Sequence, residues 1–180
     1  MYSKAEMITL ASQGWNVVAI LSRETKSGRI QICYRVPGRN LVTNAGDLYY
    51  AQASAGETTT VDFDHASTAG LRLGTGVVAA GKTDTDVTTF IASAKVALTS
   101  GYEKTNDTNV LNTGAATDTV TWMYQYTAAS FNNGAVAEGA IVDNITTPTA
   151  ALTHFLFAAA FSKGATEALT VFVNHNFLGV

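Results

Sequence analysis

The last third of the chain alternates. In DTVTWMYQYTA (118–128), Val120, Trp122, Tyr124 and Tyr126 take every second position, with Thr121, Met123 and Gln125 between them. Side chains of a strand point alternately to its two faces, so a period of two fits a half-buried strand and no helix. AEGAIVDNI, ALTHFLFAAAFS and EALTVFVNHNFL follow, separated by TTPTA and KGAT. Four strand-like runs joined by short turns predict an antiparallel β sheet.

The first half carries the same signature less evenly. NVVAILSR and RIQICYRV flank the polar turn ETKSG and read as a hairpin. LVT and DLYYAQA flank the Asn44-Ala45-Gly46-Asp47 corner, a second hairpin signal. TTTVDFDHA alternates as a half-buried strand does, with Val61 and Phe63 on one face. DVTTFIASAKVAL (86–98) fits two templates equally. A helix places Val87, Phe90, Ile91, Ala94 and Leu98 on one face with Asp86 at the N-cap, whereas a strand alternates Phe90, Ala92, Ala94, Val96 and Leu98. A short helix is expected there. Residues 101–117 form a polar loop rich in Asn, Thr and Gly.

The expected fold is therefore mainly β: a single antiparallel β-sandwich or jelly-roll-like domain over 1–180, with one short helix near 86–98. Composition agrees. Only 14% of residues are charged, against a globular average of about 25%, and 26 Thr, 10 Ser and 15 Gly fill the gap. Few charges leave little to keep a lone monomer soluble, so partners are expected to cover much of the surface. The formal charge is −3 and no basic run exists, which argues against direct nucleic-acid binding. No apolar run approaches the roughly 20 residues of a membrane helix, so no membrane contact is expected. MYSKAEMITLASQGW lacks a signal-peptide pattern, and residues 1–15 read either as an N-terminal arm reaching a neighbouring subunit or as an ordinary edge strand or frayed terminus. The lone Cys33 lies in an apolar run and is expected to be a buried, inert thiol.

One stretch matches a catalytic motif. GVVAAGKT, residues 76–83, has Gly76, Gly81, Lys82 and Thr83 at the four defined positions of a phosphate-binding loop. Such a loop needs a buried parallel strand before it and a helix after it. Upstream stands STAGLRLGT, where Gly70, Arg72 and Gly74 interrupt the apolar run. The only candidate second Mg²⁺ ligand, Asp143, sits among predicted antiparallel hairpins. The expectation is a Gly-rich connection with Lys82 in solvent.

Other constellations are weaker. Asp62 and Asp64, followed by His65, could hold a hard cation but lack a third ligand fixed by spacing. His154 and His175 are isolated and belong to no metal motif. Asp84 and Asp86 read as a capping segment. The row Trp122, Tyr124 and Tyr126 suits a sandwich core, or a platform on which sugars stack. No catalytic, cofactor-binding or metal residues are assigned, and no cofactor is expected.

The succession LVTNAGDLYY (41–50), GLRLGTG (70–76), KTDTDVTTFI (82–91), TVTWMYQYTAASFN (119–132), TPTAALTHFLFAAAFSK (147–163) and TVFVNHNFLG (170–179) resembles small structural proteins of tailed bacteriophages, in particular capsid decoration (cement) proteins. The resemblance rests on the order and texture of β segments. It implies a non-enzymatic virion protein, often trimeric, made in the host cytoplasm and bound to the major capsid protein on the outer surface of the head. It implies no catalytic residues. A neck or tail component, a carbohydrate-binding module and, more remotely, a nucleotide-binding protein are the alternatives.

Overall fold

The computed structural model describes residues 6, 15–64, 68–105, 107–109, 111 and 118–177. Apart from Glu6 and Trp15, the expected N-terminal arm lies outside the described residues, as does His65. Strand β1 (Val17–Glu24) turns through residues 25–29 into β2 (Ile30–Val42), and helix α1 (Asn44–Ala55) follows. Then come β3 (Gly70–Gly74), β4 (Phe90–Ala97), the short β5 (Lys104–Thr105), β6 (Thr119–Tyr126), β7 (Asn133–Val142), β8 (Ala151–Lys163) and β9 (Ala168–Asn176).

All nine strands join one antiparallel sheet in the order β4-β3-β7-β8-β2-β1-β9-β6-β5. The sheet folds back on itself, as a mainly β, sandwich-like domain. Tyr126 on β6 donates its hydroxyl to Leu71 O on β3 at 3.0 Å, and Thr99 N, just past β4, donates to Met123 O on β6. The enclosed core gathers Val17, Ala19 and Leu21 from β1, Leu71 and Leu73 from β3, Phe155 and Phe157 from β8, and Val171 and Val173 from β9. Trp122, Tyr124 and Tyr126 all point into it and are at most 1% exposed. Burying aromatic rows of this size is worth several kcal/mol in lost apolar surface.

Four expectations are corrected. Residues 86–98 contain no helix: Phe90–Ala97 is strand β4, because backbone pairing with β3 (Gly70↔Ala97, Leu71↔Val96, Arg72↔Lys95) decides between two templates that the side chains leave tied. The short helix lies instead at Asn44–Ala55, where a hairpin was expected. Thr43 caps it by accepting from Gly46 N, Asp47 complements the helix dipole in the first turn, and Gly56 ends it with φ at +69°. TTTVDFDHA forms no strand among its described residues, yet Phe63 is fully buried and Val61 packs against the core. STAGLRLGT does supply a buried strand, β3, although it pairs antiparallel on both sides.

Helix α1 closes one end of the sheet. Tyr49 meets Phe63 edge-on at 5.5 Å and tilts against Trp122 at 6.3 Å. Tyr50 accepts from Trp122 Nε1 at 3.0 Å.

Candidate functional site

The motif-bearing loop and the isolated histidine of β8 turn out to be one construction. Glu138 on β7 and His154 on β8 lie on the face of the sheet that residues 75–89 cross, and Glu138 is fully buried. Its Oε1 accepts from Gly76 N at 2.8 Å and Thr89 N at 2.8 Å. Its Oε2 accepts from Thr88 N at 3.0 Å and faces His154 Nε2 at 3.0 Å. His154 Nδ1 faces Asp84 Oδ2 at 2.6 Å, and the same oxygen accepts from Gly81 N at 2.7 Å. A carboxylate–imidazole–carboxylate line thus binds both ends of the loop to the sheet. The approach is close: a Cβ on Gly76 would stand 2.4 Å from Glu138 Oε1.

Electrostatics follow from this geometry. Burial alone would raise the Glu138 pKa, but His154 and the three backbone N–H groups outweigh it and bring it down to about 2. Burial would lower the His154 pKa, but Glu138 and Asp84 reverse that and raise it. Both groups are therefore held in their charged forms. Beside them Arg72 pairs with Asp86 (Nε to Oδ1, 2.9 Å), stacks its guanidinium 3.5 Å from the Phe90 ring centroid and donates to Ile145 O. Burial raises the Asp86 pKa despite this partner.

This arrangement explains why GVVAAGKT does not have the surroundings of a phosphate-binding loop. Gly76 N and Gly81 N donate to Glu138 and Asp84, where a phosphate loop would offer them to an anion. Lys82 Nζ pairs with Asp47 of α1 at 2.6 Å, and Lys82 O accepts from Asn44 N. The element after Thr83 is the strand β4 and not a helix. Lys82 is half-exposed at the surface, close to the sequence expectation. Asp143, the candidate second Mg²⁺ ligand of the phosphate-loop reading, closes the β7–β8 turn by accepting from Thr149 N and Ala150 N.

The remaining candidates are placed as follows. Asp62 Oδ1 accepts from Asp64 N within a turn, and Asp64 accepts the Tyr49 hydroxyl at 2.9 Å. Among the described residues no three His, Cys, Asp or Glu side chains form a metal-holding group. The Trp122 row is wholly interior, so it offers no sugar a face. His175 is buried against α1, its Nδ1 in contact with the Tyr50 hydroxyl, and burial lowers its pKa to about 3. Cys33 is only partly buried, at the edge of the core.

Sequence reasoning missed two buried polar centres. Glu138 stands in AEGAIV, where a charge in an apolar run was a signal left unused. Lys163 is fully buried at the end of β8, and its Nζ donates to Phe131 O at 2.7 Å and Ala128 O at 3.0 Å. Comparison with protein families, curated proteins and solved structures returns no match to this chain.

Proposed function

We propose that the chain is a non-enzymatic structural protein of a tailed-bacteriophage particle, decorating the outer surface of the head through the major capsid protein and acting as a trimer. The order of β segments motivates the phage assignment. The observation that carries the structural role is apolar surface left in solvent: Ile30 is 70% exposed and Ile32 45%, while Val77 and Val78 on the motif-bearing loop are 77% and 60% exposed. Large apolar side chains grouped on one strand end and one loop in a low-charge chain suit surfaces that another subunit covers. The Glu138–His154–Asp84 line supports the same reading, because it braces the loop against the sheet. A cement protein adds contact area at capsomer junctions, and many symmetry-related copies make modest contacts avid.

Light scattering tests the oligomer first: a trimer has three times the 18.9 kDa chain mass. Cryo-EM of the parent particle tests the location, with density for this domain expected outside the shell. The double variant Ile30→Asp, Ile32→Asp is expected to keep the fold and lose incorporation into the particle. A particle with no such exterior density overturns the proposal.

A further inference from the structure

The β1–β2 hairpin stands out from the sheet. Strand β9 pairs with β1 only as far as Ser22, and β8 pairs with β2 only from Gly38 onward. Tyr34 anchors the base of the hairpin, its hydroxyl donating to Ser162 O and its ring edge-on to Phe161 at 6.4 Å. Residues 23–32 project beyond it, and all but Thr25 are exposed. Gly28 turns the tip with φ at +76°, and Arg29 N donates to Thr25 Oγ1 at 3.1 Å. Arg23, Lys26 and Arg29 surround this tip against one carboxylate, Glu24, with the exposed Ile30 and Ile32 on its flank.

The opposite end of the sheet carries the reverse charge. Strand β1 starts there, β2 and β9 end there, and α1 crosses it. Two clefts open beside α1, of about 610 Å³ and about 380 Å³. Asp47, Glu103 and Asp118 stand in their walls against one ammonium, Lys82, which already pairs with Asp47. Nearby Lys104 is turned onto the Tyr102 ring. Apolar surface accompanies the acids: Phe177, in the wall of both clefts, is 44% exposed, and Leu48 of α1 is 48% exposed. Strand β2 runs the whole distance between the two ends, about 40 Å at the rise of an extended chain, so the ends of one molecule do not meet.

We propose that the basic tip of the β1–β2 hairpin of one copy docks head to tail in the acidic clefts beside α1 of a second copy, with Ile30 and Ile32 against Phe177 and Leu48. Each end supplies what the other lacks: a projecting cationic knob at one, a recessed anionic wall at the other, and exposed apolar side chains at both. Opposite charges steer the encounter and fix its direction, while the apolar residues supply the buried centre. Mixed, largely apolar walls fit the side-chain surface of a protein. The two surfaces differ, so the contact is heterologous and every copy both gives and receives a hairpin. In the proposed trimer it closes three copies into a ring, a step that alone rests on the trimer reading.

The test is sedimentation velocity of the purified full chain from about 5 to 500 μM, with two variants whose fold is checked by circular dichroism. Arg23→Glu with Lys26→Glu and Arg29→Glu reverses the tip. Ser54→Arg puts a cation at an exposed position of α1 on the wall shared by both clefts. The parent is expected to associate, and to do so less in 1 M NaCl, where charges are screened beyond about 3 Å. Each variant alone is expected to associate about tenfold more weakly or worse. Mixed in equal amounts, the two are expected to form a one-to-one dimer and nothing larger, because one keeps the cleft and the other keeps the hairpin. The contact is overturned if the parent stays monomeric, if either variant associates as the parent does, or if the mixture forms no dimer. A parent that grows into open stacks supports the contact and overturns the trimer. A monomeric parent that still decorates the shell leaves the head assignment standing and overturns the contact.

Discussion

Glu138→Ala would strand three backbone N–H groups and a charged histidine in a site closed to water. Removing one partner of a buried, hydrogen-bonded charge pair costs about 3–5 kcal/mol, a large share of the about 5–15 kcal/mol that holds a domain folded. Urea unfolding should show that loss, with Glu138→Gln losing less because one oxygen still accepts. A loss below about 1 kcal/mol would mean the loop is braced by something else. Gly76→Ala acts on the same contact from the other side, since its Cβ would meet backbone-bound Glu138 Oε1. At this scale the sequence was only half readable. Its motif glycines were visible, but Glu138, the partner of Gly76, lies 62 residues away. No spacing rule connects a loop to a carboxylate that reaches it through the sheet register.

Among elements, α1 depends on Thr43. The Thr43 hydroxyl accepts from Gly46 N and donates to Ala151 O, joining the helix start to β8. Thr43→Ala should cost about 1–2 kcal/mol in chemical denaturation, with the loss of the sheet contact placing it toward the upper end. Elements legible from sequence were β6, by its period of two, and β1, β2 and β7 to β9, as apolar runs bounded by polar turns; alternation alone misled at TTTVDFDHA. The rest depended on neighbours. In β3, Gly70 and Gly74 look like breakers, yet a Cβ at Gly70 would sit 2.2 Å from Val96 O, so the small residue is what lets β4 pair closely. In α1, the Asn-Ala-Gly-Asp corner hid a capped helix start.

For the whole molecule, two histidines give pH dependences of opposite sign. His154 keeps its proton above the unfolded value of 6.5. Its contribution is complete below 6.5 and is lost as pH rises through the raised folded value. His175 refuses a proton until about pH 3, whereas the unfolded chain takes one near 6.5. Its contribution is present above 6.5 and is lost as pH falls toward 3. Glu138 adds to the acid limb, since its contribution holds above 4.5 and disappears toward about 2. Denaturation across pH should therefore lose its slope above 6.5 in His154→Gln, and lose part of its acid slope in His175→Gln. The reverse assignment of limbs would contradict both environments.

Strand β1 lies between β2 and β9 in the sheet, with Val17 opposite both Gly38 and Val173. During synthesis this has a consequence in time. Strand β1 leaves the ribosome well before β9, the strand that covers its second edge, a separation of about 150 residues. At about 5–20 residues per second, that is a wait of roughly ten seconds or more with an apolar edge open. Chains stopped after β8 should therefore stay unfolded or aggregate, and pulse-labelled nascent chains should become protease-resistant only once β9 has left the ribosome. Protection of a chain lacking β9 would show that the sheet closes by another route.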